Sequence, residues 1–217
     1  MKKCIILANG KPPRKQIVAF LLRKGYSTLI CADGGANHAR KMNLVPDYII
    51  GDLDSISAIT LKYYQAKSDI IKLSRQNDTD VEKAIKLAIS KQFDEAVLLG
   101  VTGDRLDHTF CNLGIVLKFF DKIRCMIIAE NSILFPLSKL NIIKSIPGET
   151  ISLYGFNKKT KISTAGLKYS LSKTALPFGE RESTSNVSIS NTLKISIKGG
   201  IIFLIRDFNF LKTNDLF

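Results

Sequence analysis

Residues 70–99 decide the fold: Ile70-Ile71-Lys72-Leu73, then Ser74-Arg75-Gln76-Asn77-Asp78, then Thr79-Asp80-Val81-Glu82-Lys83-Ala84-Ile85-Lys86-Leu87-Ala88-Ile89, and finally Ala96-Val97-Leu98-Leu99. The first and last runs are apolar and too short for helices. Between them Thr79 and Glu82 have the spacing of a helix N-terminal capping box. Val81, Ala84, Ile85, Ala88 and Ile89 recur at helical intervals and form one apolar stripe. Strand, polar loop, capped helix and strand make a βαβ unit. Strands that are continuously apolar, without alternation, belong to a parallel sheet covered on both faces.

The same grammar extends outward. Further short apolar runs occupy residues 4–8, 28–32, 48–50 and 126–129. Helices are expected over 12–24, 36–42 and 57–65, and from about Asp107, where Phe110, Leu113, Gly114 and Leu117 share one side. The alternation defines an α/β, Rossmann-like domain over residues 1–131. After residue 132 helical periodicity stops. Short β-branched segments follow at 150–156, 161–164, 186–190, 193–198 and 201–206. Lys194-Ile195-Ser196-Ile197-Lys198 alternates, so one of its faces is solvated. Gly199-Gly200 between two such runs predicts a two-residue hairpin. Residues 132–217 are therefore expected to form a small all-β sandwich.

Composition narrows the class. The chain has 217 residues, 45% hydrophobic and 24% charged, enough for a core without disulfide or metal staples. No apolar run approaches the roughly 18 residues of a membrane span. The opening Met1-Lys2-Lys3-Cys4-Ile5-Ile6-Leu7-Ala8 is expected to be a first strand, its apolar stretch being too short for a signal peptide. Cys4, Cys31, Cys111 and Cys125 are scattered through apolar surroundings and are expected to be reduced core residues of a cytoplasmic protein. The formal charge of +13 is spread along the length, with neither a C₂H₂ spacing nor an RNP1-like aromatic run. A lysine-rich solvated surface accounts for it better than nucleic acid or a membrane does.

In open α/β sheets ligands bind beyond the carboxyl ends of the strands. Those positions here hold Asn9-Gly10, Asp33-Gly34-Gly35-Ala36-Asn37, Gly51-Asp52-Leu53-Asp54-Ser55, Asn77-Asp78-Thr79-Asp80 and Gly100-Val101-Thr102-Gly103-Asp104-Arg105-Leu106-Asp107-His108. Any one loop fits ordinary turn or cap chemistry; several together gather the carboxylates of a basic chain. Such a cluster repels itself unless a cation neutralises it. Oxygen ligands without a Cys/His set select Mg²⁺. Asp52 and Asp54, two apart in extended backbone, are expected to face one ion. Asp80 sits in the first turn of its helix, where an anionic side chain is favoured. Asp33 opens a Gly-Gly turn that lets phosphate approach the backbone. Arg105 suits a bidentate grip on polyphosphate. Asp107 is a helix cap, a functional group, or both. His108 is expected to pack or hydrogen-bond.

These loops, in this order, resemble the thiamine pyrophosphokinase family, with a weaker match at Ser185-Asn186. The resemblance spans nearly the whole chain. It implies transfer of a diphosphate from ATP to the thiamine hydroxyl, giving thiamine diphosphate and AMP. It implies Mg²⁺ held by Asp52, Asp54 and Asp80, with Asp33 close by. It implies that Asn9, Asp33, Gly34, Gln76, Thr79, Arg105, Asp107 and Asn112 bind ATP, that Asp54, Asp80 and Arg105 take part in catalysis, and that Ser185 and Asn186 bind thiamine in a homodimer. Asp104 stands where many relatives have a second Gly. The chain has no Trp to pack on thiamine, leaving Tyr169, Phe178 or Phe208 as substitutes. A related diphosphokinase acting on hydroxymethylpterin is the nearest alternative, and a basic nucleic-acid-binding module a more distant one.

Overall fold

The computed structural model describes residues 1–74, 77–103 and 105–217. The chain divides into two compact units, Met1–Glu130 and Asn131–Phe217. In the first, strands β1 (Lys3–Leu7), β2 (Thr28–Ala32), β3 (Tyr48–Gly51), β4 (Asp69–Lys72), β5 (Glu95–Leu99) and β6 (Arg124–Ala129) alternate with helices. These are α1 (Lys15–Arg23), α2 (Gly35–Lys41), α3 (Ala58–Tyr64), α4 (Asp80–Ser90) and α5 (Leu106–Lys118). The strands pair in parallel in the order β6-β5-β1-β2-β3-β4. Cys4 to Leu7 and Ala96 to Leu99 are buried throughout, as two-sided cover requires. Burying each such Leu or Ile contributes about 1.5–3 kcal/mol, so the central strands carry much of the stability.

Three local expectations are corrected. Among the described residues β4 is an edge strand paired with β3 alone, and its Asp69 and Lys72 are exposed. Helix α1 starts at Lys15 because each proline of Pro12-Pro13 drives its predecessor out of helical backbone. In α5 the buried residues are Asn112, Ile115 and Val116. Phe110 is exposed, Gly114 faces open space and Cys111 is exposed, so the expected apolar stripe is not the buried face.

The second unit holds β7 (Ser132–Leu137), β8 (Leu140–Lys144), β9 (Thr150–Tyr154), β10 (Lys161–Ala165), β11 (Ser183–Val187), β12 (Thr192–Lys198), β13 (Ile202–Asp207) and a short α6 (Phe208–Thr213). Antiparallel sheets β11-β9-β13-β7 and β10-β12-β8 pack face to face. Ile151, Leu153, Ile202 and Leu204 of one meet Ile162, Leu193, Ile195 and Ile197 of the other. This is a sandwich. Gly199-Gly200 does not form the expected hairpin. β12 pairs with β8 and β10 whereas β13 pairs with β7 and β9, so the two glycines carry the chain between sheets. β11 begins earlier than expected, at Ser183. Helix α6, capped by the Asp207 side chain, is too short to show periodicity in the sequence.

Between the sheets lies a closed ionic network. Arg206 donates from Nε to Glu149 Oε1 at 2.6 Å, and from Nη2 to Glu149 Oε2 at 2.8 Å and to the Lys144 carbonyl at 2.9 Å. Ser145 Oγ donates to Glu149 Oε2, and Glu149 is fully buried. Arg206→Met leaves that carboxylate buried and unpaired, and is expected to destabilise the protein by about 3–5 kcal/mol in urea unfolding. Adding Glu149→Leu should restore most of the loss; a double variant no more stable than Arg206→Met would refute the pairing as its cause.

Candidate active site

β2 ends at Ala32, and Asp33 turns the chain with a left-handed φ of 40°. Its backbone N–H donates to the Ile50 carbonyl at 2.9 Å, which fixes it beside β3. The turn is tight: a Cβ on Gly35 would lie 2.0 Å from the Leu7 carbonyl oxygen, and one on Gly34 2.4 Å from the Asn9 side chain. Gly51, the last residue of β3, has no room for a side chain. A Cβ there would sit 2.7 Å from Asp33 Cβ and 3.2 Å from Asp80 Oδ1. The next residue is Asp52. Helix α4 delivers Asp80 in its first turn, with Thr79 Oγ1 capping the Glu82 N–H at 3.2 Å. Asp33, Asp52 and Asp80 thereby offer oxygens all within 4.8 Å of one another.

Asp54 is not part of this triad. Leu53 has φ 68°, so residues 52–54 turn rather than extend, and the expected side-by-side presentation of Asp52 and Asp54 does not form. The Asp54 N–H donates to Asp52 Oδ1 at 3.3 Å, and the exposed Asp54 carboxylate accepts from Ser55 Oγ at 2.9 Å. Asn37 of α2 clamps the loop, donating to the Ser55 carbonyl at 2.9 Å and accepting from the Ser57 N–H at 3.1 Å.

Each pair of charges at this separation repels by about 3 kcal/mol at an effective dielectric of about 20. The strain falls on Asp33, which is 2% exposed. Burial, and after it the charges of Asp80, Asp52 and Asp54, push its pKa up to about 6, against the Ser55 N–H bonded to Oδ2 at 3.2 Å. Its Oδ1 is buried and finds no hydrogen-bond donor among the described residues. Asp52 is held below the ordinary range by the Asp54 N–H and, less strongly, by the Lys83 ammonium. Lys83 Nζ lies 2.8 Å from Asp80 Oδ1, its side chain only 3% exposed. Three hard carboxylates, one of them with a buried oxygen orphaned among the described residues, fit a divalent cation of the Mg²⁺ kind.

Comparison with known proteins gives this edge a context. The family model described as thiamin pyrophosphokinase, catalytic domain, matches residues 21–128, and the one described as thiamin pyrophosphokinase, vitamin B1 binding domain, matches residues 138–202. The chain belongs to the thiamine pyrophosphokinase family. It is an enzyme with thiamine pyrophosphokinase activity. It is 29% identical over 222 residues to thiamine pyrophosphokinase of Bacillus subtilis, covering 95% of this chain and 99% of the relative. It is 28% identical over 230 residues to thiamine pyrophosphokinase 1 of Oryza sativa subsp. japonica, covering 93% and 86%. The fold is that of the crystal structure of the Bacillus subtilis thiamine pyrophosphokinase, with TM-score 0.82 at 23% identity over 95% of this chain and 99% of that one. The Candida albicans thiamin pyrophosphokinase structure gives 0.81 at 23% identity, over 95% and 89%. Nothing in these matches favours the pterin or nucleic-acid alternatives.

The other positions singled out by the thiamine pyrophosphokinase resemblance fall into two kinds. Asn9 is exposed beside Gly34, at a seam where Gly10 N–H donates to the Gly100 carbonyl at 2.7 Å and Lys11 N–H to that of Thr102 at 2.8 Å. Arg105 is the N-cap residue of α5, and Asp107 lies in the first turn, so Asp107 is not the cap. Arg105 Nε donates to Asp107 Oδ1 at 3.2 Å, and this guanidinium holds the exposed Asp107 carboxyl at about 2. Gln76 and Asp104 lie outside the described residues. Other side chains are occupied internally. Buried Asn112 donates from Nδ2 to the Val101 carbonyl at 2.7 Å, tying the β5 exit loop to α5. In the second unit Asn186 is buried; it accepts from Tyr169 N–H at 3.0 Å and donates to the Tyr169 carbonyl at 2.7 Å. Ser185 is exposed at a bulge with φ 54°. Lys83, Ser55 and Asn37 hold the site together; Ser55 and Asn37 stand in the strand-end loops quoted from the sequence but without an assigned role, and only the i, i+3 spacing of Asp80 and Lys83 hints at Lys83.

Asp33 sets a pH signature for the metal-free protein. Its folded pKa, about 6, exceeds the ordinary 3.8, so the fold disfavours the ionised form that dominates at neutral pH. Stability from this group therefore declines as pH rises between those values. Asp33→Asn is expected to be about 1–3 kcal/mol more stable than wild type at neutral pH without metal, the difference vanishing below about pH 4. Urea midpoints across pH check it; an Asp33→Asn protein less stable than wild type at neutral pH contradicts it.

Proposed function

We propose that the enzyme catalyses in-line attack of the thiamine hydroxyethyl oxygen on the β-phosphorus of ATP, with Mg²⁺. A bond forms between that oxygen and the β-phosphorus, the α,β-bridging P–O bond breaks, and its electron pair leaves with AMP. The observation that carries the reading is the Asp33–Asp52–Asp80 triad at the carboxyl edge of the sheet, within the segment matched by the catalytic-domain model.

Asp33, Asp52 and Asp80 would hold the metal. When bound, Mg²⁺ supplies charge neutralisation to the triphosphate. Asp54, exposed on the same loop, would join the outer shell and accept the proton from the thiamine hydroxyl. Arg105 would exchange its partner Asp107 for phosphate oxygens, which it grips in the same bidentate geometry. Asn9, Gly34, Gln76 and Thr79 would line the nucleotide, and Asn112 would support the β5 exit loop. The second unit would hold thiamine. Ser185 reaches the ligand in this scheme, while Asn186 fixes the Tyr169 segment that shapes its pocket; the vitamin B1 binding-domain model covers both positions. A homodimer in the cytoplasm is the proposed working form. No helix among the described residues is long and apolar enough to cross a membrane.

The test is direct. Purified protein with ATP and Mg²⁺ should release AMP and form thiamine diphosphate with thiamine, and not with hydroxymethylpterin. Asp52→Asn and Asp80→Asn should each lower turnover by roughly 10²-fold or more with circular dichroism unchanged, since electrostatic stabilisation is the main catalytic resource. Near-normal turnover in both variants removes the triad from the reaction. Product with the pterin alone overturns the choice of acceptor.

A further inference from the structure

Lys83 has an unusual position for a lysine. It lies on α4 one turn after Asp80, and its ammonium is 2.8 Å from Asp80 Oδ1 with the side chain only 3% exposed. Exposed i, i+3 pairs on helices are common and weak, and a helix surface tolerates their loss. This pair is different because its cation is withdrawn from water. Elsewhere on α4 the ammonium of Lys86 stays in solvent, 45% exposed, while it pairs with Asp78 and Glu82. A buried ammonium is costly to desolvate, and an apolar residue of similar volume would usually stabilise the fold as well or better. Packing alone therefore does not account for a charge here.

The charge has one local counterpart. Among the described residues Lys83 alone forms an ion pair with any member of the Asp33–Asp52–Asp80 triad. Its field reaches Asp52 as well. The oxygen it holds, Asp80 Oδ1, is the one that faces Gly51, 3.2 Å from where a Cβ on that residue would sit.

We propose that Lys83 is a positioning residue, an internal countercation that steadies the three aspartates when the metal is away and restrains how tightly they bind it. The inference rests on the Mg²⁺ reading of the triad. With Lys83 neutralised, the carboxylates repel one another unscreened in the metal-free protein and attract a divalent cation more strongly. A lysine that merely fills space predicts neither effect.

Thermal melting of the full chain, titrated with Mg²⁺ alone and no nucleotide, separates these cases. Wild type should be stabilised by Mg²⁺; absence of any stabilisation refutes the metal reading and, with it, the role of Lys83. Lys83→Gln keeps a donor for Asp80 and removes only charge. It should melt lower without metal, recover in excess Mg²⁺, and reach half-recovery at a concentration about tenfold lower than wild type or less. Lys83→Arg, which keeps the charge, should stay within about threefold of wild type. A Lys83→Gln protein with a lowered melting temperature but an unchanged or higher Mg²⁺ midpoint overturns the proposal while leaving the metal reading intact. If Lys83→Gln folds only in excess Mg²⁺, the proposal is supported. If Lys83→Gln and Lys83→Met both fail to fold even then, the role is purely structural and the proposal fails.

Discussion

The parallel register of the central strands is the constraint on which the site depends. Ala32 pairs with Ile50 and Gly51 with Lys72, so β2, β3 and β4 end at nearly the same height. Whatever follows each strand must share one small space above the sheet. Asp33 and Asp52 leave their strands at that height, and Asp80 returns to it at the head of α4. No long-range attraction is needed to gather these acids. Backbone pairing and apolar burial, whose energies far exceed a few kcal/mol of charge repulsion, bring them together regardless.

The repulsion is absorbed by several devices. The Asp33 proton is retained to higher pH by burial and neighbouring charge. Backbone N–H groups of Asp54 and Ser55 point at Asp52 and Asp33, and Asn37 holds the loop that supplies them. The Lys83 ammonium on α4 pairs with Asp80. Such a site is poised rather than relaxed: its carboxylates retain an unmet demand for positive charge. On the proposed reading, a magnesium–polyphosphate complex would satisfy that demand.

The α/β alternation and the switch to short β segments were legible because each depends on periodicity within one element. The capped start of α4 was legible for the same reason, through Thr79 and the apolar stripe that follows it. Which acids converge was legible only as far as strand ends could be located. Asp33, Asp52 and Asp80 lay at such ends, whereas the pairing of Asp52 with Asp54 assumed extended backbone that the left-handed Leu53 denies. Asp33 was placed at the edge of the expected metal shell, since its burial depends on the Gly35–Leu7 approach and no single segment records that. Lys83 was invisible because its meaning comes from what it touches. The buried face of α5 departs from the expected one because Phe110 satisfies helical spacing equally well when turned outward. Gly199-Gly200 looked like a hairpin locally, and only the partners of β12 and β13 reveal a crossing between sheets.

The seam joining the exits of β1 and β5 has an evolutionary corollary. A Cβ on Gly10 would lie 2.5 Å from the Gly100 carbonyl oxygen, and one on Gly100 2.5 Å from that of Ala8. Even the smallest replacement collides with main chain, which has no alternative rotamer to adopt. The lysine-dense exterior can drift, residue by residue, without disturbing this edge. The glycines cannot, so the chain's freedom to diversify lies almost entirely outside the few cubic ångströms where two loops touch.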